Sequence, residues 1–296
     1  MEREERIAEL GYDYAAQPKR ERAACPLCDG TELVCLTKRD RYGYPASTDL
    51  CVACGIAFLN PVMEGEAYGR FYDGVYRPLV SAYHGRLIDA GSILGEQAAY
   101  AAEVAAMIEQ RGGGRPVTSI LDIGGSTGVV AHAITEATGA SATVIDPAPP
   151  EIERARALGL DTVTGLVEEW DAGGATFDLI LLCQTVDHLL DPRAVLARVR
   201  ELLADGGLFF IDIVDFRAGR DKAGSVVGAT KIDHPFSFVE EVAERALQAA
   251  GLRTLAKERA GDGLHVRYLC EGGEPEPTTI RDPEAARALA AELRAP

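Results

Sequence analysis

Four cysteines are spaced as metal ligands, in the pairs Cys25-Pro-Leu-Cys28 and Cys51-Val-Ala-Cys54. The pairs lie 22 residues apart, and a glycine follows each, at Gly30 and Gly55. Glycine after such a knuckle lets backbone N–H groups turn toward thiolates, and four thiolates close a tetrahedral site that has no position left for water or substrate. The pattern predicts a structural zinc held by Cys25, Cys28, Cys51 and Cys54, with an iron–sulfur cluster or free redox thiols as the alternatives. The other cysteines, Cys35, Cys183 and Cys270, read as core.

A second constellation, Ser119-Ile-Leu-Asp-Ile-Gly-Gly-Ser-Thr-Gly128, is an apolar strand running into a glycine turn, with a helix expected over Val129–Ala137. Gly124 and Gly125 let backbone approach a ligand closely, Gly128 allows a helix to pack tightly on a strand, and a helix N-terminus presents free N–H groups. Asp146 ends the next strand, where a carboxylate can accept hydrogen bonds from both ribose hydroxyls. Together they predict a bound nucleotide; the plain alternative is a tight turn and a solvated acid. A dinucleotide dehydrogenase would carry glycine two places after Gly124, where Ser126 stands, so the spacing argues against NAD.

Histidine can act as a general base near neutral pH. Of five histidines, His188 and His234 fall in loops after the fourth and fifth strands of the sheet described next, at the carboxyl ends where α/β sheets bind ligands. The plain alternatives are a residue opening a helix and a turn residue before Pro235. His84, His132 and His265 stay unassigned.

The elements that must position these groups follow from pattern. Apolar β-type runs over Ser119–Ile123, Ala142–Ile145, Asp161–Thr164, Asp178–Cys183, Gly207–Val214, Leu252–Glu258 and Leu264–Glu271 predict seven strands, with helices between the first six. Arg259 to Gly263 is too short for a helical crossover, so the last two strands should form an antiparallel hairpin closing a mostly parallel, Rossmann-like α/β sheet. Asp191-Pro192 marks one helix start and Ser237-Phe-Val-Glu240 a capping box for another. Residues 1–62 read as a small zinc-binding module, 63–115 as a helical connector with a helix over Gly95–Arg111 stopped by Gly112-Gly113-Gly114, 116–271 as the nucleotide-binding domain, and 272–296 as a tail with a helix from Asp282. Nine of ten tyrosines precede residue 101, which suggests that module and connector form an aromatic lid over the cleft.

In order, the D-x-G-x-x-x-G turn, Asp146, Phe177-Asp-Leu-Ile-Leu-Leu, Asp187-His-Leu-Leu-Asp-Pro192 and Leu203-x-x-Gly-Gly207 resemble class I S-adenosylmethionine-dependent methyltransferases. That resemblance implies a seven-stranded sheet whose final strand is antiparallel. It implies that Asp122 and Gly124, Gly125, Ser126, Thr127 and Gly128 hold the methionyl part of S-adenosylmethionine. Asp146 would hold the ribose, Glu168 or Glu169 would lie near the adenine edge, and Gln184 would border the transferred methyl.

The cysteine pairs, the segment Tyr68-x-x-Phe-Tyr72-x-x-x-Tyr76 and a histidine in each of the two loops are similar to the zinc-containing sugar C-methyltransferases. In those enzymes a nucleotide-linked 4-keto-sugar loses a proton beside its carbonyl and the enolate takes the methyl. The resemblance implies His188 or His234 as general base, supported by Asp233, with Lys231, Tyr72 or Tyr76 stabilising the enolate oxygen. Lys231-Ile-Asp-His234 stands where that family reads Y-x-E-H, so a lysine replaces the tyrosine and the acid is one methylene shorter.

Composition narrows the classes further. The chain has 296 residues, 47% of them hydrophobic, which suffices for folded domains with real cores. Its net charge of −16 repels nucleic-acid phosphate and anionic membrane, and residues 1–62 alone carry eight basic against ten acidic side chains. A ribosomal-RNA or other nucleic-acid methyltransferase is therefore the weaker reading, beside a non-catalytic scaffold. The longest apolar run, Leu179 to Cys183, is far below the ~20 residues of a membrane span, and no signal peptide is visible, so a cytoplasmic protein with a small-molecule acceptor is expected.

Overall fold

The computed structural model describes residues 2–89, 91 and 94–295. The N-terminal part contains α1 (Arg3–Ala8), β1 (Lys19–Arg20), β2 (Leu33–Thr37), β3 (Thr48–Cys51), β4 (Ala57–Leu59) and β5 (Val62–Met63), followed by α2 (Gly65–Gly74), α3 (Tyr76–His84) and α4 (Leu94–Arg111). There follow β6 (Ser119–Ile123), α5 (Val129–Thr138), β7 (Ser141–Asp146), α6 (Pro149–Ala157), β8 (Asp161–Thr164), β9 (Phe177–Leu182), α7 (Pro192–Leu202) and β10 (Leu203–Val214). The chain continues through α8 (Phe216–Ala223), α9 (Val226–Ala229), β11 (Phe236–Ser237), α10 (Glu240–Ala249), β12 (Leu252–Arg259), β13 (His265–Gly272) and α11 (Pro283–Arg294).

Seven strands form the main sheet in the order β12-β13-β10-β9-β6-β7-β8. The five strands from β10 to β8 are parallel, whereas β13 runs antiparallel to both β10 and β12, as the short hairpin required. Because side chains alternate across a sheet, Ile180, Leu182, Phe209 and Ile211 face one core, which holds α7, α10 and the four paired cysteines. Leu179, Leu181, Leu208 and Phe210 face the other, built from α4, α5 and α6. A third core gathers the aromatic residues Tyr14, Tyr42, Tyr68 and Phe71 with Ile232.

Several local expectations are met. The helix α4 runs to Arg111 and stops at the glycines; a Cβ on Gly112 would lie 2.5 Å from the Ile108 carbonyl oxygen. Asp191 caps α7 by accepting from the Ala194 N–H at 3.0 Å, and Asp282 caps α11 in the same way through Ala285. Gly128, at φ +75°, begins α5, and a Cβ there would lie 2.6 Å from Leu160.

Three expectations are corrected. No helix joins β8 to β9: the segment 165–176 is a turn-rich loop, in which Gly165, Gly173 and Gly174 all take positive φ, incompatible with a right-handed helix. Ser237 makes no capping box, because it pairs with Ala57 as part of β11, and α10 begins at Glu240 behind an uncapped Val239. Cys35 is exposed rather than core, since it sits on the outward-facing side of β2.

The smaller sheet has the order β11-β4-β3-β2, so Phe236 and Ser237, more than 170 residues downstream of β4, complete the sheet of the cysteine-bearing segment. The C-terminal helix packs on the same segment: a Cβ on Gly55 would lie 3.5 Å from Leu289 and 3.1 Å from Val242. Leu293 of α11 is only 1% exposed. Leu293→Ala should therefore cost about 2–5 kcal/mol, read as a lowered midpoint in urea denaturation at unchanged slope.

Candidate active site

The glycine turn leaves β6 at Ile123 and is closed on itself. Gly124 takes φ +65° and a Cβ on it would strike Thr185 at 2.4 Å; on Gly125 it would strike the Asp122 carboxyl at 2.5 Å. Across the turn, Asp146 at the end of β7 accepts from the Ser126 N–H at 3.1 Å and the Ala148 N–H at 2.8 Å. Thr127 is nearly buried. Gln184, at φ +50°, follows β9 and donates its N–H to Asp212 at 2.6 Å. Glu168 and Glu169 lie on an exposed turn after β8.

Asp122 is 1% exposed, and neither carboxylate oxygen has a hydrogen-bond partner among the described residues. Burial, reinforced by the nearby Asp146, pushes its carboxyl up to about 7. A buried, unpartnered carboxylate under a glycine turn and a helix N-terminus is a place where a cationic or N–H-bearing ligand group would be stabilised.

At the carboxyl ends of β9 and β10 the loop residues His188, Lys231, Asp233 and His234 meet Tyr72 and Tyr76 of the connector. His188 Nδ1 lies 2.9 Å from the Asp233 carbonyl oxygen and 2.7 Å from the Tyr72 hydroxyl, which itself donates to that carbonyl at 3.0 Å. A carbonyl only accepts, so Nδ1 carries the imidazole hydrogen and Nε2 keeps the basic lone pair. His234 differs: its Nε2 lies 3.2 Å from Lys231 Nζ and 3.5 Å from an Asp233 carboxylate oxygen. The two imidazoles stand edge to face at 4.6 Å, and the Tyr72 and Tyr76 rings are 5.2 Å apart.

Burial lowers the pKa of His188, helped by the Lys231 charge and opposed by Asp233. Burial and Lys231 hold His234 well below the ordinary histidine range. Lys231 is itself lowered by burial, although Asp233 and Asp187 favour its charge. His188, Asp233 and His234 place their ligand atoms within 4.8 Å of one another, as a metal trio would. Lys231 Nζ stands 3.2 Å from one member of that trio, His234 Nε2.

Three acids were not singled out by sequence. Asp187 is buried beside His188 and pushed up to about 7, chiefly by burial; one oxygen accepts from the Val214 N–H at 3.2 Å and the other has no partner among the described residues. Its neighbour in the chain was the available signal. Asp212, fully buried in β10, receives the Tyr100 hydroxyl at 2.9 Å as well as Gln184. An acid inside an otherwise apolar strand was the signal for it. Asp40, in the loop between β2 and β3, accepts from the Ile232 N–H at 3.2 Å, and nothing local marks it.

The four cysteines of the two pairs are buried, with Sγ atoms all within 4.8 Å of one another. Cys25 and Cys54 are 3.6 Å apart, as are Cys28 and Cys51. A tetrahedral zinc with Zn–S bonds of about 2.3 Å needs sulfurs about 3.8 Å apart, whereas a disulfide needs about 2.05 Å. A Cβ on Gly30 would intrude at 3.0 Å from Cys51 Sγ and 3.3 Å from Cys28 Sγ. The donor set fits a thiolate-bound metal. Arg245 and Arg281 anchor it by donating to the Cys54 carbonyl at 2.9 Å and the Cys28 carbonyl at 2.6 Å.

A seven-stranded sheet with an antiparallel strand inserted between β10 and β12 and a glycine turn after β6 defines an α/β methyltransferase fold. A family model described as a methyltransferase domain matches residues 85–257, more than half of the chain, and the chain belongs to that family. It is 34% identical over 116 residues to a ubiquinone biosynthesis O-methyltransferase of Methylocella silvestris, covering 37% of this chain and 44% of that protein. A protein of the same name from Citrobacter koseri is 28% identical over 170 residues, 53% of this chain and 69% of its own. The chain thus spans less than half the length of the first of these relatives. In fold it is similar to the 1,6-didemethyltoxoflavin-N1-methyltransferase of Burkholderia thailandensis, solved with 1,6-didemethyltoxoflavin and S-adenosylhomocysteine. That likeness has a TM-score of 0.52 at 22% identity over 74% of this chain and 96% of that one. Among the described residues no helix is long and apolar enough to cross a membrane.

The raised carboxyl of Asp122 has a sign that can be checked. A folded value above the usual 3.8 stabilises the fold at low pH and is lost as pH rises through about 7. Asp122→Asn should therefore gain heat stability over the parent at about pH 8 and lose that advantage at about pH 5, read by melting curves at both.

Proposed function

We propose that this protein transfers a methyl group from S-adenosylmethionine to a small-molecule acceptor, and that the acceptor is a nucleotide-linked keto-sugar methylated at carbon. The observation that carries the reading is the contact of His188 Nδ1 with the Asp233 carbonyl, which assigns the hydrogen to Nδ1 and leaves Nε2 as the basic nitrogen, in a cluster that also holds the half-buried Lys231. When bound, the cofactor supplies a methyl on a sulfonium, held for in-line transfer. Asp122, Gly124, Gly125, Ser126, Thr127 and Gly128 would receive its methionyl part, Asp146 its ribose, Glu168 the adenine edge, and Gln184 would border the methyl.

On the acceptor side, His188 Nε2 removes the proton beside the carbonyl, with its own pKa low enough that it is neutral at physiological pH. Lys231 stabilises the oxygen that gains charge, and Tyr76 closes the pocket. His234 is the poorer base because Lys231 Nζ already occupies its Nε2. Asp233 holds His188 through its carbonyl and balances Lys231 through its carboxylate. Tyr72 locks the imidazole. Cys25, Cys28, Cys51 and Cys54 would bind a structural zinc, which leaves no coordination position for substrate.

A hydroxyl acceptor is the second reading, favoured by the printed name of the relatives, and the same base would serve it. Isotope-labelled methyl donor and product NMR separate a carbon-bound from an oxygen-bound methyl. His188→Ala should lower turnover by about 10²-fold or more while sparing S-adenosylhomocysteine affinity; unchanged turnover would defeat the proposal. The parent enzyme should lose activity as pH falls below the ordinary histidine range, because the base must be unprotonated. Native mass spectrometry should show one zinc, and Cys25→Ser should release it and lower the melting temperature.

A further inference from the structure

The segment that carries Lys231, Asp233 and His234 has few anchors of its own. Within it, Thr230 bonds back to Val226, and the His234 N–H to the Lys231 carbonyl. His188 reaches the Asp233 carbonyl from the loop after β9. Its other backbone ties come from the N-terminal part of the chain. The Arg41 N–H donates to the Thr230 carbonyl at 3.0 Å and the Leu59 N–H to the Pro235 carbonyl at 2.9 Å. The Tyr68 hydroxyl donates to the Ile232 carbonyl at 3.0 Å, and Tyr72 to that of Asp233.

One side chain joins the two parts in a single frame. Asp40, 1% exposed, uses one oxygen to accept from the Tyr42 N–H at 3.0 Å and the Tyr44 N–H at 2.9 Å, which shapes the loop between β2 and β3. Its other oxygen accepts from the Ile232 N–H, one residue from Lys231 and from Asp233. All three contacts are to backbone N–H groups, which a carboxylate can satisfy together because it only accepts. Ile232 is itself fully buried among the tyrosines, so the loop cannot shift without opening that core.

We infer that Asp40 is a positioning residue: through the Ile232 N–H it sets where Lys231, Asp233 and His234 stand relative to His188. The inference rests on the acid–base reading above. An asparagine in its place keeps one oxygen for the Tyr42 and Tyr44 N–H groups but turns an NH₂ group toward the Ile232 N–H, donor against donor. The loop then relaxes, His234 moves away from Lys231 and toward water, and the two largest causes of its lowered pKa, burial and the Lys231 charge, weaken, while His188, Arg41 and His265 contribute smaller shifts in the same direction.

The test is a pH titration of the 296-residue protein, as purified with any metal it retains, with ¹⁵N-labelled histidine, followed by NMR. In Asp40→Asn the His234 resonance should titrate about one pH unit or more higher than in the parent, with S-adenosylhomocysteine affinity unchanged by calorimetry. Asp178→Asn, at the far end of the sheet, is the control for general loosening and should leave His234 unmoved. An unchanged His234 titration in folded Asp40→Asn overturns the inference, as does an equal shift in the control. Should Asp40→Asn not fold, Tyr68→Phe removes the hydroxyl on the Ile232 carbonyl and must move the same resonance in the same direction; no movement overturns the inference. Failure of the parent to bind S-adenosylhomocysteine would defeat the functional reading instead, and the histidine result would stand apart from it.

Discussion

Phe236 and Ser237 pair with Phe58 and Ala57, and this short antiparallel contact governs much of the molecule. Two residues of ladder add little energy, yet a strand cannot join a sheet at an arbitrary register, because a slip of one residue would turn Phe236 from a buried position to an exposed one. Its ring stands 6.4 Å from that of Phe58, and Arg22 stacks on it at 4.9 Å. Once that register is fixed, the chain just before it, from Thr230 to Pro235, must run alongside the cysteine-bearing segment. The loop from the main sheet and the loops from the small sheet therefore share one wall.

Buried acids line that wall and the glycine turn near it. Asp40, Asp122, Asp187 and Asp233 are each at most 4% exposed, an arrangement that burial alone disfavours. Each is handled differently. Asp40 is satisfied by three N–H groups, Asp187 by one, Asp233 faces a lysine and a histidine, and Asp122 has no partner among the described residues. Groups that share a low-dielectric space shift one another, so the protonation of His188, Lys231 and His234 belongs to the cluster rather than to any one residue.

The fold was legible where local pattern and tertiary demand agreed. The apolar runs of β6, β9 and β10, the proline-led starts of α7 and α11 and the five-residue link before β13 all point one way. Ser237 shows where such agreement fails: Ser-x-x-Glu is a capping box in isolation, but the open edge of β4 recruits the serine into a strand. The loop after β8 departs from the expected alternation of strand and helix because Gly165, Gly173 and Gly174 take positive φ there. In the site, His188 and His234 could be found from their place after strands, and Lys231 and Asp233 only from the resemblance of Lys231-Ile-Asp-His234 to a family motif. Which imidazole is basic depends on Tyr72 and Asp233 meeting across 161 residues, and the place of Asp40 on a contact across 192; no spacing rule carries either.

Arg281, next to α11, donates to the Cys28 carbonyl, and Leu289 fills the space behind Gly55. The two knuckles are thus braced by residues near the opposite end of the chain. During synthesis the cysteines emerge long before Arg281 and Leu289 do, so thiolates able to bind metal exist while their final support is missing. A metal taken up by these thiolates would gain its full support only after α11 has formed: an early knuckle can be sampled, and that helix clasps it shut.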